Sequence, residues 1–256
     1  MITWATKRKL TYLSIVIGFL LIVVSIPLVF FFNKAPTCSD GKMNQDENGV
    51  DCGGVCTKLC KADTTLPIVS WQRVFKISKG IYSAVAYVEN PNLNSTATNV
   101  PYSFRAYDKA NVLIVERKGT ASILPIGVTP VFESGILTGE RIPARVTFSF
   151  ASKPDWIITK KIAPRITILI NEKNFEGTLP SLRATITNTT LKNIPHFEVV
   201  AILYDENDNA IASSKTVVDS IAGEQEVEVV FSWREAFASI PVKVEILPKL
   251  YPDIQY

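Results

Sequence analysis

The chain has 256 residues, of which 47% are hydrophobic and 20% charged, a composition that excludes a disordered or fibrous protein. Its formal net charge is +3, but three of its 27 basic residues (Lys7, Arg8 and Lys9) precede residue 33, and the rest equal the 24 acidic residues in number. A charge-balanced body gives no electrostatic footprint for a nucleic acid, so we expect no nucleic-acid partner.

The first predicted element is a transmembrane helix over residues 10–32, which carries no charge. As a helix it would reach roughly 34 Å, enough to cross a hydrocarbon core of about 30 Å. The basic cluster lies on its N-terminal side, so the positive-inside rule predicts a single-pass plasma-membrane protein with residues 1–9 in the cytoplasm and the remainder extracytoplasmic. A cleaved signal peptide and a buried core helix are the alternatives. The length of the run and the lack of a small-x-small cleavage site favour a retained signal-anchor.

A cysteine-rich module and connector is predicted over residues 33–66. It contains every cysteine of the chain: Cys38, Cys52, Cys56 and Cys60. An even number of clustered cysteines on the predicted extracytoplasmic side favours two disulfides, and their spacing does not choose among the three pairings. Zinc is the rival use of four cysteines, but the three-residue gaps are wider than those of the usual zinc motifs.

The loop between the first two cysteines is rich in oxygen-bearing side chains. Alternating oxygen ligands followed by a glycine, here Gly49, match the first half of an EF-hand-like calcium loop, although Val55 takes the place of the usual terminal Glu. A polar, turn-rich loop held by disulfides explains the same residues, and both interpretations remain open. No cofactor is required on either, and the candidate calcium ligands are Asp40, Asn44, Asp46, Glu47, Asn48 and Asp51.

As a whole, this segment resembles a short motif of secreted and surface-anchored bacterial proteins, C-x-D-G-x-x-N-x-x-E-x-G-x-D-C-G-G-x-C. The matching residues are Cys38, Asp40, Gly41, Asn44, Glu47, Gly49, Asp51, Cys52, Gly53, Gly54 and Cys56. The resemblance implies a cell-surface context and no particular activity.

Beyond the module, the pattern of the chain is typical of β-strands. Apolar residues alternate with polar ones at 145–150, at 226–233 and at 242–246, where Val242, Val244 and Ile246 are the apolar members. This alternation predicts antiparallel strands with one buried and one solvent-facing side. Turn signals separate the runs, which indicates β-sandwiches.

The strand region also repeats itself at offsets of 94 to 98 residues. The recurring residues are Asn90, Asn99-Val100-Pro101, Tyr107-Asp108 and Gly127 in one copy, and Asn188, Asn193-Ile194-Pro195, Tyr204-Asp205 and Gly223 in the other. The prediction is a mainly β protein with two tandem immunoglobulin-like antiparallel β-sandwiches at residues 67–153 and 165–248, a linker at 154–164 and a C-terminal tail at 249–256.

Each copy resembles a bacterial sandwich family named for a Phe-x-Leu-Tyr-Asp motif, which is similar to the late-embryogenesis-abundant (water-stress) sandwiches. The motif segments are residues 104–108 and 201–205, with Ala106 in place of Leu and Ala201 in place of Phe. We expect the Tyr at a strand end and the Asp opening the next turn through local hydrogen bonds. The resemblance implies no catalytic residues.

The sequence therefore predicts a non-catalytic, membrane-anchored protein that presents two sandwiches to a surface or envelope protein partner, or uses them as spacers. An accessory subunit of an envelope secretion or pilus-type assembly is the alternative. A surface hydrolase is a third hypothesis, which requires the single histidine, His196, to lie in a pocket beside a serine or a carboxylate.

Overall fold

The structure is a computed structural model that describes residues 4–32, 37–44, 46–159 and 165–250. Contacts divide the chain into two compact units, Met1–Cys56 and Thr57–Tyr256. Parts of four predicted segments lie outside the described residues: residues 1–3 of the cytoplasmic N-terminus, 33–36 of the module, 160–164 of the linker and 251–256 of the tail.

The first unit begins with a 29-residue helix, α1 (Trp4–Phe32). The helix predicted over residues 10–32 is confirmed, but it begins six residues earlier and includes the basic cluster. Within it, the stretch Thr6–Leu28 contains an 18-residue window with a mean hydropathy of 2.4, and none of that window is buried in the protein. A window that is apolar all round differs from the surface helices of globular proteins, which are apolar on one face only. By length and composition α1 can cross a membrane, a property that a signal sequence shares.

The second unit is built from antiparallel strands, preceded by a short 3-10 helix at Lys61–Asp63. The strands are β1 (Ile68–Ser78), β2 (Ile81–Glu89), β3 (Ser95–Tyr107), β4 (Leu113–Ile123), β5 (Val128–Leu137), β6 (Arg145–Phe150), β7 (Ile157–Ile158), β8 (Ile166–Asn174), β9 (Ser181–Asn188), β10 (Phe197–Tyr204), β11 (Ala210–Val218), β12 (Glu226–Ser232) and β13 (Lys243–Pro248).

These strands form four sheets. Sheet A has the order β1-β2-β5, and sheet B has the order β4-β3-β6 with β7 also paired to β3. Sheet C has the order β12-β9-β8, and sheet D has the order β11-β10-β13. Sheets A and B, the first sheet pair, come from residues 68–158, and sheets C and D, the second sheet pair, come from residues 166–248.

Each sheet pair has its own apolar core between its two sheets. The first core consists of Tyr82, Ala84, Ala86, Val88, Tyr102, Phe104, Ala121, Val131, Ile136, Val146 and Phe148. The second consists of Leu182, Ala184, Ile186, Ile194, Phe197, Val199, Ala201, Val218, Ile221, Val229, Phe231 and Leu250. The predicted alternation is confirmed at 146–148 and 229–231. It is wrong at Val242, which precedes β13 and is 63% exposed.

Two central strands, β2 and β10, are buried on both sides, contrary to the expectation of one solvent-facing side. Alternate residues of each strand belong to its own core: residues 82, 84, 86 and 88 of β2, and residues 197, 199 and 201 of β10. Val85 on β2 and Val200 and Ile202 on β10 belong to a third cluster that joins sheet A to sheet D. The side chains of a strand alternate between its two faces, so a strand between two cores can be apolar at every position. The two sheet pairs are therefore packed against each other.

The chain segments around the first sheet pair are fixed to it. Trp156, inside the predicted linker, is 1% exposed, and Ile157–Ile158 form β7. One edge of β7 pairs with β3, and the other edge binds residues 57–59. The amide of Leu59 donates to the Trp156 carbonyl at 2.9 Å, and the amide of Ile158 donates to the Thr57 carbonyl at 2.7 Å. The first part of the predicted linker and residues 57–59 of the predicted cysteine-rich module thus belong to the packed body.

Candidate functional sites

The four cysteines form disulfides. Cys38 is bonded to Cys56, with the two Cα atoms 5.7 Å apart. Cys52 and Cys60 are also disulfide-bonded, and no described cysteine is free. The expectation of two disulfides is confirmed, and the sulfur atoms are not available as zinc-binding thiolates.

Glu47 is the buried carboxylate of the module, at 6% exposed. Its Oε2 atom accepts hydrogen bonds from the amides of Asn44 (3.3 Å) and Asp51 (3.2 Å). Its Oε1 atom lies 3.1 Å from the Sγ atom of Cys56, which carries no proton in the disulfide. Glu47 and the Cys38 and Cys56 sulfurs form a cluster with metal-like spacing, but disulfide sulfurs do not supply the thiolate that a metal takes. Glu47 serves to close the loop.

Two other predicted ligands also bind the loop backbone. The carboxylate of Asp51 accepts the amide of Gly41 at 3.0 and 3.1 Å. The carboxylate of Asp40 accepts the side-chain amide of Asn44 at 3.0 Å and the amide of Lys42 at 2.9 Å. These bonds, with that of the Asn44 side chain first, hold the pKa of Asp40 below its usual value.

The six predicted calcium ligands do not form one carboxylate cluster in the described part of the module. The group with metal-like spacing there includes Glu47 but not Asp40, Asp46 or Asp51. Asp46 and Asn48 are exposed. The Oδ1 atom of Asn44 is buried without a hydrogen-bond partner. The calcium site stays a prediction.

The glycine pair of the motif is required by a close approach of the chain to itself. At Gly54, where φ is +57°, a Cβ atom would lie 1.8 Å from the Asp46 carbonyl oxygen. At Gly53, where φ is +70°, it would lie 2.7 Å from the Cβ atom of Asn48. Any side chain here would push the loop open, so the motif glycines are explained by packing.

The two Tyr-Asp motifs have the same geometry, as expected. Tyr107 and Tyr204 end β3 and β10. Oδ1 of Asp108 accepts the amides two and four residues later at 3.0 and 2.9 Å, and Oδ1 of Asp205 does the same at 2.9 and 2.8 Å. These backbone hydrogen bonds are the main reason why the pKa of each aspartate is lowered.

The repeated asparagines hold equivalent turns. The side-chain amide of Asn90 donates to the carbonyls of Ser95 (2.7 Å) and Leu124 (2.8 Å). The side-chain amide of Asn188, which is fully buried, donates to three carbonyls at 2.8 to 3.2 Å. Each asparagine ties the turn after one strand to a more distant segment.

Polar contacts frame the apolar interface between sheets A and D. The carboxylate of Glu245 accepts the hydroxyl of Tyr87 at 2.9 Å and that of Tyr204 at 2.7 Å, which links the two sheet pairs. Arg73 of β1 donates to the carbonyl of Ala210 at 3.2 Å and to Oδ1 of Asn209 at 2.9 Å. The sequence analysis missed this interface, although the nearly continuous apolar run of β10 was a signal for it.

The surroundings of His196 differ from those that a hydrolase needs. Its side chain is 66% exposed, and its Nδ1 atom lies 3.9 Å from the fully exposed carboxylate of Asp219. It does not line the cavity of 580 Å³ that Phe75, Ser213 and Trp233 border. A general base works best when it is held near a nucleophile in a site that excludes water.

No protein-family model and no curated protein matches the chain. Among solved structures, red sea bream transglutaminase aligns with 73% of this chain at 10% sequence identity and a TM-score of 0.26. The aligned part is only 29% of the transglutaminase chain. A similarity this low carries no argument about fold or activity.

Proposed function

We propose that this chain is a non-catalytic, single-pass membrane protein with a cytoplasmic N-terminus, which presents two β-sandwiches outside the membrane for protein binding or as spacers. The observation that carries the proposal is that an uncovered apolar helix of membrane-spanning length is followed directly by a disulfide-bonded module. Disulfides persist in oxidising compartments, which supports an extracytoplasmic location for the residues after the helix.

Within this proposal, each sheet pair is one copy of a tandem β-sandwich that resembles the Phe-x-Leu-Tyr-Asp family. The hydrogen bonds of Asp108 and Asp205 support the repeat, since each carboxylate caps the amides two and four residues later. Two cross-strand pairs support it too: Arg145 lies over the ring of Tyr107 at 4.1 Å, and Lys243 over the ring of Tyr204 at 5.1 Å.

The packing of sheet A on sheet D supports a role in presentation. An apolar interface with buried residues such as Val85 and Ile202 resists bending at the junction, unlike a flexible linker. The two sandwiches then form one body that can present a binding surface of fixed shape. The proposed partner is a protein of the cell surface or envelope.

Labelling of single introduced cysteines in intact cells tests the topology. Ser149→Cys places an exposed thiol on sheet B, and Trp4→Cys places one at the start of α1. A membrane-impermeant maleimide is expected to label Ser149→Cys in intact cells and Trp4→Cys only after permeabilisation. The reverse pattern, or a mature protein whose mass lacks the helix, would contradict the proposal. Cross-linking on intact cells should then capture a stoichiometric envelope partner.

We also propose, separately, that the loop of the cysteine module binds calcium. Support comes from the buried Oδ1 atom of Asn44, which lacks a hydrogen-bond partner, and from the carboxylate of Asp40, which accepts the side-chain amide of Asn44 at 3.0 Å. Extracellular calcium modules bind with a Kd of about 10⁻⁴–10⁻³ M. Calorimetry on the full chain should show calcium-dependent heat that is lost in Asp46→Ala. No heat at millimolar calcium would refute calcium binding and leave the topology untouched.

A further inference from the structure

A cavity of 580 Å³ lies beside the interface between the two sheet pairs. Its walls come from β1, β2 and β5 of sheet A, from β11 of sheet D, from Ser232 at the end of β12 and from residues 233–239. The volume is in the range of sites that hold small organic molecules, about 300–1,000 Å³. Both sheet pairs contribute, so the cavity exists only because the two are packed together.

Aromatic rings provide the apolar part of the lining. Phe75 and Phe132 come from sheet A, and Trp233 and Phe237 come from the segment after β12. The rings of Trp233 and Phe237 are in edge contact, with centroids 5.3 Å apart. Such rings suit a flat apolar ligand, because aromatic pairs in offset or edge geometry are favourable.

Two buried serines of the lining have hydroxyls without a hydrogen-bond partner. Ser83 is 1% exposed and Ser213 is 7% exposed. Ser83 lies on the same face of β2 as Val85, and Ser213 is paired with Ile202, so both face the gap between the sheet pairs. A buried hydroxyl without a partner is rare in a folded protein and costs free energy, so a ligand that supplied a polar atom here would recover that cost.

The charged groups of the lining are mostly cationic. Lys76 is paired with Glu235 at 2.7 Å, and Lys215 is paired with Glu198, which is not part of the lining. Arg234 is exposed and has no ion pair within the described part of the chain. Arginine presents a fork of donors that matches a carboxylate. An anionic group at the mouth of the cavity would therefore be favoured.

We propose that this cavity binds a hydroxylated aromatic carboxylate. The aromatic body lies among the four rings, the hydroxyl reaches the serine pair, and the carboxylate meets Arg234 at the mouth. This is a small-molecule site, and it goes beyond the proposed role in presentation.

The test is calorimetric titration of the full chain in lipid nanodiscs, with empty nanodiscs as the reference. The probe is 6-hydroxy-2-naphthoate, compared with 2-naphthoate, which lacks the hydroxyl, and 6-hydroxy-2-naphthamide, which lacks the charge. The probe is expected to bind one per chain and to bind about fivefold more tightly than either analogue.

Variants connect each part of the probe to a residue. Ser213→Ala should weaken the hydroxynaphthoate about fivefold and leave 2-naphthoate unchanged, because only the first molecule has a hydroxyl to lose. Arg234→Gln should weaken both carboxylates and leave the amide unchanged. Ser83→Ala repeats the hydroxyl test from the other sheet pair.

Thermal unfolding separates a binding role from a structural one. Ser213→Ala and Ser83→Ala should keep or raise the melting temperature, because the deleted hydroxyls have no partner in the protein. The control is Ser95→Ala: Ser95 is fully buried, but its hydroxyl donates to the Asn92 carbonyl at 2.8 Å, so this variant should melt lower and bind the probe normally.

Three results would overturn the proposal. They are no saturable binding of the probe up to its solubility limit, equal binding of all three molecules, and unchanged binding to the Ser213→Ala and Arg234→Gln variants. None of these results bears on membrane topology, which the cysteine-labelling experiment measures independently.

Discussion

Strands β3 and β10 occupy the same place in the two sheet pairs, yet β10 is covered on both faces and β3 on only one. Both are central strands, and both end in Tyr-Asp. On β10 the residues facing away from the nearer core include Val200 and Ile202, which are fully buried against sheet A. The residue of β3 at the place of Ile202 is Arg105, which pairs with Glu116 at 2.9 Å. The two strands differ in the face that points away from their own core. Where this face is apolar, as on β10, another sheet packs on it, and where it is charged, as on β3, no described sheet does.

The same contrast holds for the sheets that carry β2 and β9. Sheet A presents Val85 to the interface, while Arg183 of sheet C pairs with Glu228 at 3.0 Å and with Glu172 at 3.3 Å. The contact between the pairs is head-to-tail, a type that propagates into open arrays when both ends stay complementary. The corresponding faces of sheets B and C carry ion pairs in place of the apolar residues that join sheet A to sheet D.

The largest expected effect comes from shortening a side chain on the covered face. Ile202→Ala should lower the free energy of unfolding by about 2–5 kcal/mol, because it leaves a cavity in the interface. Arg105→Ala, the matched change on the exposed face, should cost less than about 1 kcal/mol. Chemical denaturation measures both variants. Equal losses would mean that the interface contributes no more than a solvent-facing side of the sheet.

The next largest loss of stability is expected on replacing the turn asparagines, and it should be similar in the two sheet pairs. Asn188→Ala and Asn90→Ala each remove a side-chain amide that donates to carbonyls of two segments. Each should cost about 1–3 kcal/mol, because buried carbonyls lose a donor. Similar denaturation midpoints for the two variants would mean that the two sheet pairs differ only in their outer faces. A loss of stability in one variant alone would show that their turns differ too.

A smaller effect is expected at the motif tyrosines. Tyr204→Phe removes a hydrogen bond to Glu245 and should cost about 1 kcal/mol. Tyr107→Phe should have almost no effect, because its hydroxyl has no hydrogen-bond partner in the described part of the chain. Thermal melts of the two variants make the comparison, and a larger loss for Tyr107→Phe would contradict the assigned contacts.

Alkaline pH gives a further test of the same contact. Burial, followed by the hydrogen bond to Glu245, raises the pKa of Tyr87 to about 12 from 10.0. The unfolded chain then releases its proton first, so the contribution of Tyr87 to stability is complete below pH 10.0 and is lost as the pH rises toward about 12. Tyr87→Phe should flatten this part of the stability profile. If the slope of stability against pH between these values is the same in Tyr87→Phe as in the wild type, the pKa of Tyr87 is not raised.

Local patterns in the sequence were sufficient to predict the apolar helix, the use of the cysteines in disulfides and the caps made by Asp108 and Asp205. Each depends on residues close together in the chain. The Cys38–Cys56 pairing was not predictable, because spacing does not choose among three partners. The packing of sheet A on sheet D was missed, because alternation shows that a face is apolar but not what covers it. The cavity was missed for the same reason, since its walls come from both sheet pairs.

Differential scanning calorimetry measures whether the two sheet pairs unfold as one body. We expect a single transition for the β region of the wild-type chain, with a calorimetric enthalpy equal to the van't Hoff enthalpy. Ile202→Asp, which places a charge in the interface, should split this transition in two. Two separate transitions in the wild-type chain, one for each sheet pair, would contradict unfolding as one body.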